Sequence, residues 1–191
     1  MEIRKAEIDD CRAIAELAQI AGDGIPGYFW ADSQQPGQTL EATGAELLKS
    51  ETANFSYRNA LVACIDGEVA GMLLAYRLPA DNDEDLLNYP EFVRPLVELE
   101  QCVGESFYIN MLATFAQFRG RGIGTALMAE ADRLANSAQC NLLSIAVFSH
   151  NADALRLYQA LGYEKIEQRA VVACDYHPAS EVLLLTRPVA A

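Results

Sequence analysis

Residues 117–135 read QFRGRGIGTALMAEADRLA, three glycines set among two arginines directly ahead of an apolar helical pattern. No other stretch limits the fold as tightly. The run SFYINMLATF before it reads as a strand, and Ile123, Leu127, Ala131 and Leu134 recur at helical spacing after it. A strand that turns through glycine into a helix leaves the first helical amides without acceptors. The helix dipole adds positive potential there, and glycine lets an anion come close to the backbone. Together these make a phosphate cradle. Arg119 and Arg121 add full charges in a chain whose net charge is −13. The competing reading is a tight strand–helix connection with no ligand. The pattern G-x-x-x-x-G-K-[ST] is absent. Gly120, Gly122 and Gly124 alternate, so the dinucleotide fingerprint G-x-G-x-x-G also fails, which argues against an NAD-dependent redox enzyme.

The flanking chain supplies a mixed α/β order. EIRKAEIDDCRAIAELAQIAG reads as a strand, then a helix capped by Asp9 or Asp10 and stopped by Gly22. Residues 23–38 read as loop, with the aromatics Tyr28, Phe29 and Trp30 inside it. TLEATGAELLKSE is a second helix with Thr39 as cap. ALVACIDGEVAGMLLAYRL is a hairpin about Asp66–Gly67. Residues 79–105 form an acidic insertion between strands 3 and 4. They hold Asp81, Asp83, Glu84, Asp85, Glu91, Glu98, Glu100 and Glu105 against the single base Arg94, eight acids to one base and a net of −7. Within them EFVRPLVELE reads as a short helix, an acceptor lid or a homodimer surface. LLSIAVF is a strand, NADALRLYQALGY a helix from Asn151 to Gly162, and YEKIEQRAVV and EVLLLTRPV two closing strands. The sum is about seven strands and about four helices in one domain, residues 1–191.

Composition removes several classes. The 191 residues are 51% hydrophobic, enough for a core and unlike a disordered acidic tail. The acidity disfavours nucleic acid. No stretch reaches the ~20 apolar residues of a membrane span, and the N-terminus lacks a signal-peptide core, so a soluble cytoplasmic protein is expected. Cys11, Cys64, Cys102, Cys140 and Cys174 form no C-x-x-C pair, and the odd count suits reduced thiols. His150 and His177 give no metal-ligand spacing, so no metal is expected.

LATFAQFRGRGIGTALM resembles motif A of the GNAT acetyltransferase superfamily, R/Q-x-x-G-x-G/A, through Arg119, Gly122 and Gly124. Thr114 and Ala116 depart from the usual Val and Pro there, both at backbone-contact positions. NADALRLYQALGY is similar to motif B in Asn151, Ala154, Leu157, Tyr158 and Gly162, with Tyr163 for Phe. IRKAEIDDCRAIAEL resembles the superfamily's first strand and helix. The resemblance is weakest over 23–58 and 79–105.

The resemblance implies a splayed GNAT sheet and an N-acetyltransferase that uses acetyl-coenzyme A as co-substrate. The pyrophosphate would lie on the amides of Arg119, Gly120, Arg121, Gly122, Ile123, Gly124 and Thr125. The pantetheine would pair with backbone at Leu112, Ala113 and Thr114, as an added strand does. A backbone N–H near Leu112 would hold the tetrahedral oxyanion. Asn151 and Ala154 would border the cofactor, and Tyr158 would protonate the leaving thiolate. The phenol (pKa ~10) is a weaker acid than the thiol (~8.5), so that transfer must be concerted or tuned. Without the motif, Tyr158 reads as a core aromatic. The acceptor would be a small-molecule or peptide amine. Its proton-accepting base stays open: Asn110 cannot act, while Glu100, Glu105 and Tyr108 lie near in sequence. The acidic insertion reads either as an attraction for a cationic amine or as a solvated loop. The three aromatics read as an acceptor wall, a cation–π cover or a core plug. The alternative function is a non-catalytic acyl-CoA-binding or regulatory module.

Overall fold

The structure, a computed structural model, describes residues 1–173 and 178–190. Cys174 and His177 lie outside the described residues. In chain order the elements are β1 (Glu2–Lys5), α1 (Cys11–Ala21), α2 (Ile25–Ala31), α3 (Leu40–Leu48), β2 (Ala60–Ile65), β3 (Glu68–Leu78), α4 (Arg94–Val103), β4 (Ser106–Thr114), α5 (Ile123–Ser137), β5 (Leu142–Phe148), α6 (Ala152–Ala160), β6 (Glu164–Val171) and β7 (Ser180–Pro188). The seven strands form an open sheet in the order β1-β2-β3-β4-β5-β7-β6. It is mixed: β4 and β5 run parallel, while the pairs β1/β2, β2/β3, β5/β7 and β6/β7 are antiparallel. The expected mixed α/β sheet is present, with the four helices of the expected order, the short helix suggested in EFVRPLVELE, and α2 in addition. By contact the chain divides into two compact units, Met1–Ala75 with Asn110–Ala129 and Tyr76–Ile109 with Glu130–Ala191.

In the first unit, β2 and β3 are joined at Asp66 (φ 53°) and Gly67 (φ 86°), the two left-handed residues a type I′ hairpin turn requires. Both strands are almost fully buried, hence their continuous apolar runs. Ile14 and Leu17 of α1 and Leu48 of α3 are fully buried, and Thr39 caps α3 by accepting the Ala42 N–H at 3.2 Å. The α1 start differs from expectation. Asp10 stands at the N-cap position but makes no side-chain cap. Its carboxylate instead accepts from Arg4 at 2.6 and 3.0 Å and from the Glu7 amide at 2.7 Å. A charge-assisted bidentate pair outcompetes a helix amide.

The expected loop over 23–38 is also corrected, because Ile25–Ala31 is helical. Its glycines and proline suit a helix start here. Asp23 and Gly24 turn left-handed, Pro26 sits in the first turn, and the Gln19 side chain accepts the Gly27 N–H at 2.8 Å. The helix places Trp30, 3% exposed, against Gly44, where an added Cβ would meet the indole at 2.6 Å. Trp30 is therefore a core plug.

In the second unit β5 lies between β4 and β7, and Leu143, Ile145, Val182 and Leu184 fill the interior. Ser106 and Ser144, both fully buried, share a 2.7 Å hydrogen bond between β4 and β5. Residues 94–103 are the short helix EFVRPLVELE suggested, with Pro95 in its first turn. α4 packs on β5, β6 and β7 and buries Val97 and Leu99. Cys11, Cys64 and Cys140 are buried and Cys102 exposed, all as free thiols.

Candidate functional site

Motif A falls within the first unit. β4 ends at Thr114, a short turn covers Ala116–Phe118, and α5 begins at Ile123. Gly120 (φ 74°) and Gly122 (φ 76°) are both left-handed. An added Cβ at either would meet nothing within 4 Å. These glycines therefore answer to conformation and to the open face beside them, not to crowding. The Ala126 N–H bonds the Gly122 carbonyl at 3.0 Å, which makes Gly122 the N-cap. The amides of Ile123, Gly124 and Thr125 are then the first-turn donors without an intrahelical acceptor. Arg119, Arg121 and Thr125 are exposed beside them. Arg119 Nε donates to the Thr114 carbonyl at 3.4 Å, and the Arg121 guanidinium lies 5.6 Å from the Phe118 ring centroid.

The strand leading into this turn is oriented by β3. The Phe115 N–H donates to the Ala70 carbonyl at 2.9 Å, and the Ala113 carbonyl approaches Gly71 so closely that an added Cβ would stand 2.7 Å from it. Residues 113 and 115 thus turn their backbone groups toward β3, and strand alternation turns those of Leu112 and Thr114 to the opposite edge. Gly71 went unnoticed in the sequence. Its only signal there is a glycine inside an apolar strand run, which marks close backbone approach.

Motif B falls within the second unit. Asn151 caps α6 by accepting the Ala154 N–H at 3.1 Å, and Gly162 (φ 83°) follows the last turn, as the sequence indicates. Tyr158 is 4% exposed, and its ring centroid lies 5.8 Å from that of Tyr163. Burial pushes the Tyr158 phenol above its ordinary range, with nearby Tyr163 adding to the shift. Burial also raises Tyr163, opposed by Arg187. The Arg187 guanidinium is 5.3 Å from the Tyr163 ring centroid and pairs with Asp132 at 2.7 Å.

The three candidates for the base separate clearly. Glu105 is exposed and ion-paired with Arg77. Tyr108 is 2% exposed and hydrogen-bonds the Glu100 carboxylate. Glu100, half-buried on α4, is pushed up to about 7, chiefly by burial. Among the described residues no group of three or more His, Cys, Asp or Glu side chains could hold a metal. No helix among them is long and apolar enough to cross a membrane.

Residues 28–163 match the family model of the acetyltransferase (GNAT) family. Among curated proteins none matches the chain. Among solved structures, an N-acetyltransferase from Staphylococcus aureus Mu50 aligns with a TM-score of 0.64 at 24% identity, over 98% of this chain and 100% of that one. A Drosophila melanogaster polyamine N-acetyltransferase that forms N-acetylagmatine aligns with a TM-score of 0.67 at 16% identity, over 98% and 99%. A ribosomal-protein-alanine N-acetyltransferase from Brucella melitensis aligns with a TM-score of 0.62 at 20% identity, over 98% and 99%. At these identities the likeness establishes a shared fold.

Proposed function

The chain belongs to the acetyltransferase (GNAT) family, and from that premise we propose that it transfers the acetyl group of acetyl-CoA to a primary amine by direct attack in a ternary complex. The reading takes residues 1–191 as one catalytic domain. The observation that carries it is the turn at 119–125. Two left-handed glycines, the first-turn amides of α5 and two exposed arginines stand together in a chain with a net charge of −13. That set matches a diphosphate in charge and in donor geometry.

Each residue then has a task. The amides of Gly120–Thr125 and the Arg119 and Arg121 side chains bind the pyrophosphate, with the Thr125 hydroxyl as a further donor. Leu112 and Thr114 offer outward-turned backbone to the amide-bearing pantetheine, flanked by Ala113. The Leu112 N–H stabilises the oxyanion as the amine adds to the thioester carbonyl. Asn151 and Ala154 begin the helix that holds Tyr158, and the Tyr158 hydroxyl protonates the departing thiolate. Its raised pKa keeps the phenol protonated at neutral pH. The transfer is therefore concerted with C–S cleavage, and the amine's second proton restores the phenol. The acceptor is a small-molecule or peptide amine, and the reading sets the protein in the cytoplasm. The acetylated amines named for the structural neighbours belong to those proteins and suggest the panel to test.

The test is release of free thiol from acetyl-CoA in the presence of agmatine, spermidine, tyramine and a peptide with an N-terminal alanine. Turnover with at least one is expected. Acetyl-CoA binding without thiol release across a broad panel would instead mark a non-catalytic acyl-CoA-binding module. In the same assay Tyr158→Phe is expected to lower kcat by ~10²-fold with acetyl-CoA affinity unchanged. An equal loss of both would remove the acid role.

A further inference from the structure

An acetyl transfer to an amine needs a group that takes the ammonium proton, and the one carboxylate in motifs A and B, Asp153, is exposed and paired with Arg156. The acidic insertion is the obvious place to look, yet most of its carboxylates engaged by an observed contact have ordinary structural partners. Glu98 pairs with Arg169 at 3.1 Å, Glu105 with Arg77 and Glu84 with the Tyr89 hydroxyl. Asp85 accepts the Leu87 N–H at 2.9 Å. Glu100 differs from these. It is carried by α4, half-buried, and its hydrogen-bond partner is the phenol of Tyr108, a residue 2% exposed at the heart of β4. Tyr108 in turn lies edge-on to Tyr76 of β3, 5.9 Å between ring centroids. A negative charge on Tyr158 would raise the Tyr108 phenol further. One buried phenol is thus bonded to a carboxylate and within electrostatic reach of the tyrosine assigned as the acid.

We propose that Glu100, held by the Tyr108 hydroxyl, is the base that removes the proton from the acceptor's ammonium. The assignment rests on the acetyltransferase reading above. In the step, an N–H bond of R–NH3⁺ breaks and an O–H bond forms on the Glu100 carboxylate, leaving neutral R–NH2. The amine lone pair forms the N–C bond and the C–S bond breaks. The thiolate takes the Tyr158 proton, and the second nitrogen proton returns to Tyr158. Glu100 releases its proton to water, so the cycle yields amide, free thiol and one proton.

The surroundings suit the task. Burial lifts the Glu100 carboxyl to about 7, Tyr108 hydrogen bonding opposes the rise and the Glu84 carboxylate adds to it. A base with that value is ionised in useful amount at neutral pH and is stronger than an ordinary carboxylate. Three cations on or beside α4 have other partners. Arg94 of α4 donates to the Tyr89 carbonyl at 3.0 Å. Arg169 of β6 holds Glu98 and Glu167, and Arg187 of β7 holds Asp132 and lies over Tyr163. Tyr89 is raised to about 12 by its bond to Glu84, so it stays neutral over the working range. Cys102 of α4 is exposed and contacts Arg169 at 3.5 Å.

The experiment compares full-length wild type with Glu100→Gln, using acetyl-CoA and the panel amine that turns over best. In the wild type, kcat/KM should rise tenfold per pH unit and level off near pH 7. In Glu100→Gln, kcat at pH 7 should fall at least 100-fold. Its rising limb should move toward the amine's own pKa, ~10, while acetyl-CoA affinity is kept. With 2,2,2-trifluoroethylamine, which arrives neutral at pH 7 and needs no base for its first proton, the loss should shrink to less than tenfold. Tyr108→Phe removes a hydrogen bond that favours the carboxylate, so its limb should move to higher pH, with kcat falling less than in Glu100→Gln. A Glu100→Gln profile matching wild type in limb and within threefold in kcat would overturn the assignment. So would equal losses on both amines. If Glu100→Gln fails to fold, Glu100→Asp and Tyr108→Phe give the same readout through the position of the limb, and an unmoved limb in both overturns it. Acetyl-CoA binding by wild type without turnover of any amine would instead sink the acetyltransferase reading, and this assignment with it.

Discussion

Gly71 and Gly122 both serve the β4–α5 turn, but for different physical reasons that substitution can separate. At Gly71 the space is closed: a Cβ would stand 2.7 Å from the Ala113 carbonyl oxygen and 3.0 Å from Ile123 Cγ2. Backbone cannot swing aside as a flexible side chain does, so Gly71→Ala should lower unfolding stability by ~1–3 kcal/mol. At Gly122 the space is open and only the backbone angle resists, with φ at 76°. Gly122→Ala should cost ~1–2 kcal/mol for a left-handed alanine. Asparagine tolerates that region far better. Gly122→Asn should therefore recover part of the loss, while Gly71→Asn should be worse than Gly71→Ala. Denaturant midpoints of the four variants check this. Recovery at both positions, or at neither, would show that the two sites do not differ as described.

At the scale of the element, α6 has nine residues, short of the length at which a helix holds itself in water. Its start therefore depends on the Asn151 cap, whose side chain accepts the Ala154 N–H at 3.1 Å. Asn151→Ala should cost ~1 kcal/mol, with Asn151→Asp and Asn151→Ser close to wild type. Urea unfolding measures the difference, and an Ala variant as stable as wild type would mean that packing alone secures the helix. This cap was legible in the sequence because it is local: Asn151, an apolar stripe and Gly162 suffice to bound the element. The Asp66–Gly67 hairpin and the glycine turn ahead of α5 were legible for the same reason. α2 was not. What makes Ile25–Ala31 helical is the Gln19 side chain on the Gly27 amide and the space that Gly44 leaves for Trp30, both contacts between separate elements. The Glu100–Tyr108 pair stayed hidden likewise. Spacing shows neither that α4 turns Glu100 toward β4 nor that the carboxyl loses water there. The sequence could only place Glu100, Glu105 and Tyr108 side by side as candidates.

For the whole molecule, these groups make stability depend on pH in two separate windows. Burial raises the Asp10 carboxyl, but the Arg4 and Glu7 hydrogen bonds outweigh it and leave it below 3.8. A depressed carboxyl stabilises the fold above its unfolded pKa, so this contribution is lost only as pH falls below about 3.8. Glu100 has the opposite sign. Its folded value is about 7 against an ordinary 4.5, so between those values the folded chain holds a proton that the unfolded chain releases. Stability should therefore decline as pH rises from 4.5 to 7, and the full gap is worth on the order of 3 kcal/mol. Glu100→Gln removes the ionisation. Guanidinium unfolding should show the variant more stable than wild type at pH 8, with the advantage shrinking toward pH 5. Parallel stability curves would mean that the folded carboxyl keeps its water and an ordinary affinity for protons. Added salt relaxes the self-repulsion of a chain at −13 in both proteins alike, so the difference between them should survive it. A variant that gained stability while losing turnover would set Glu100 among the residues whose cost to the fold accompanies activity.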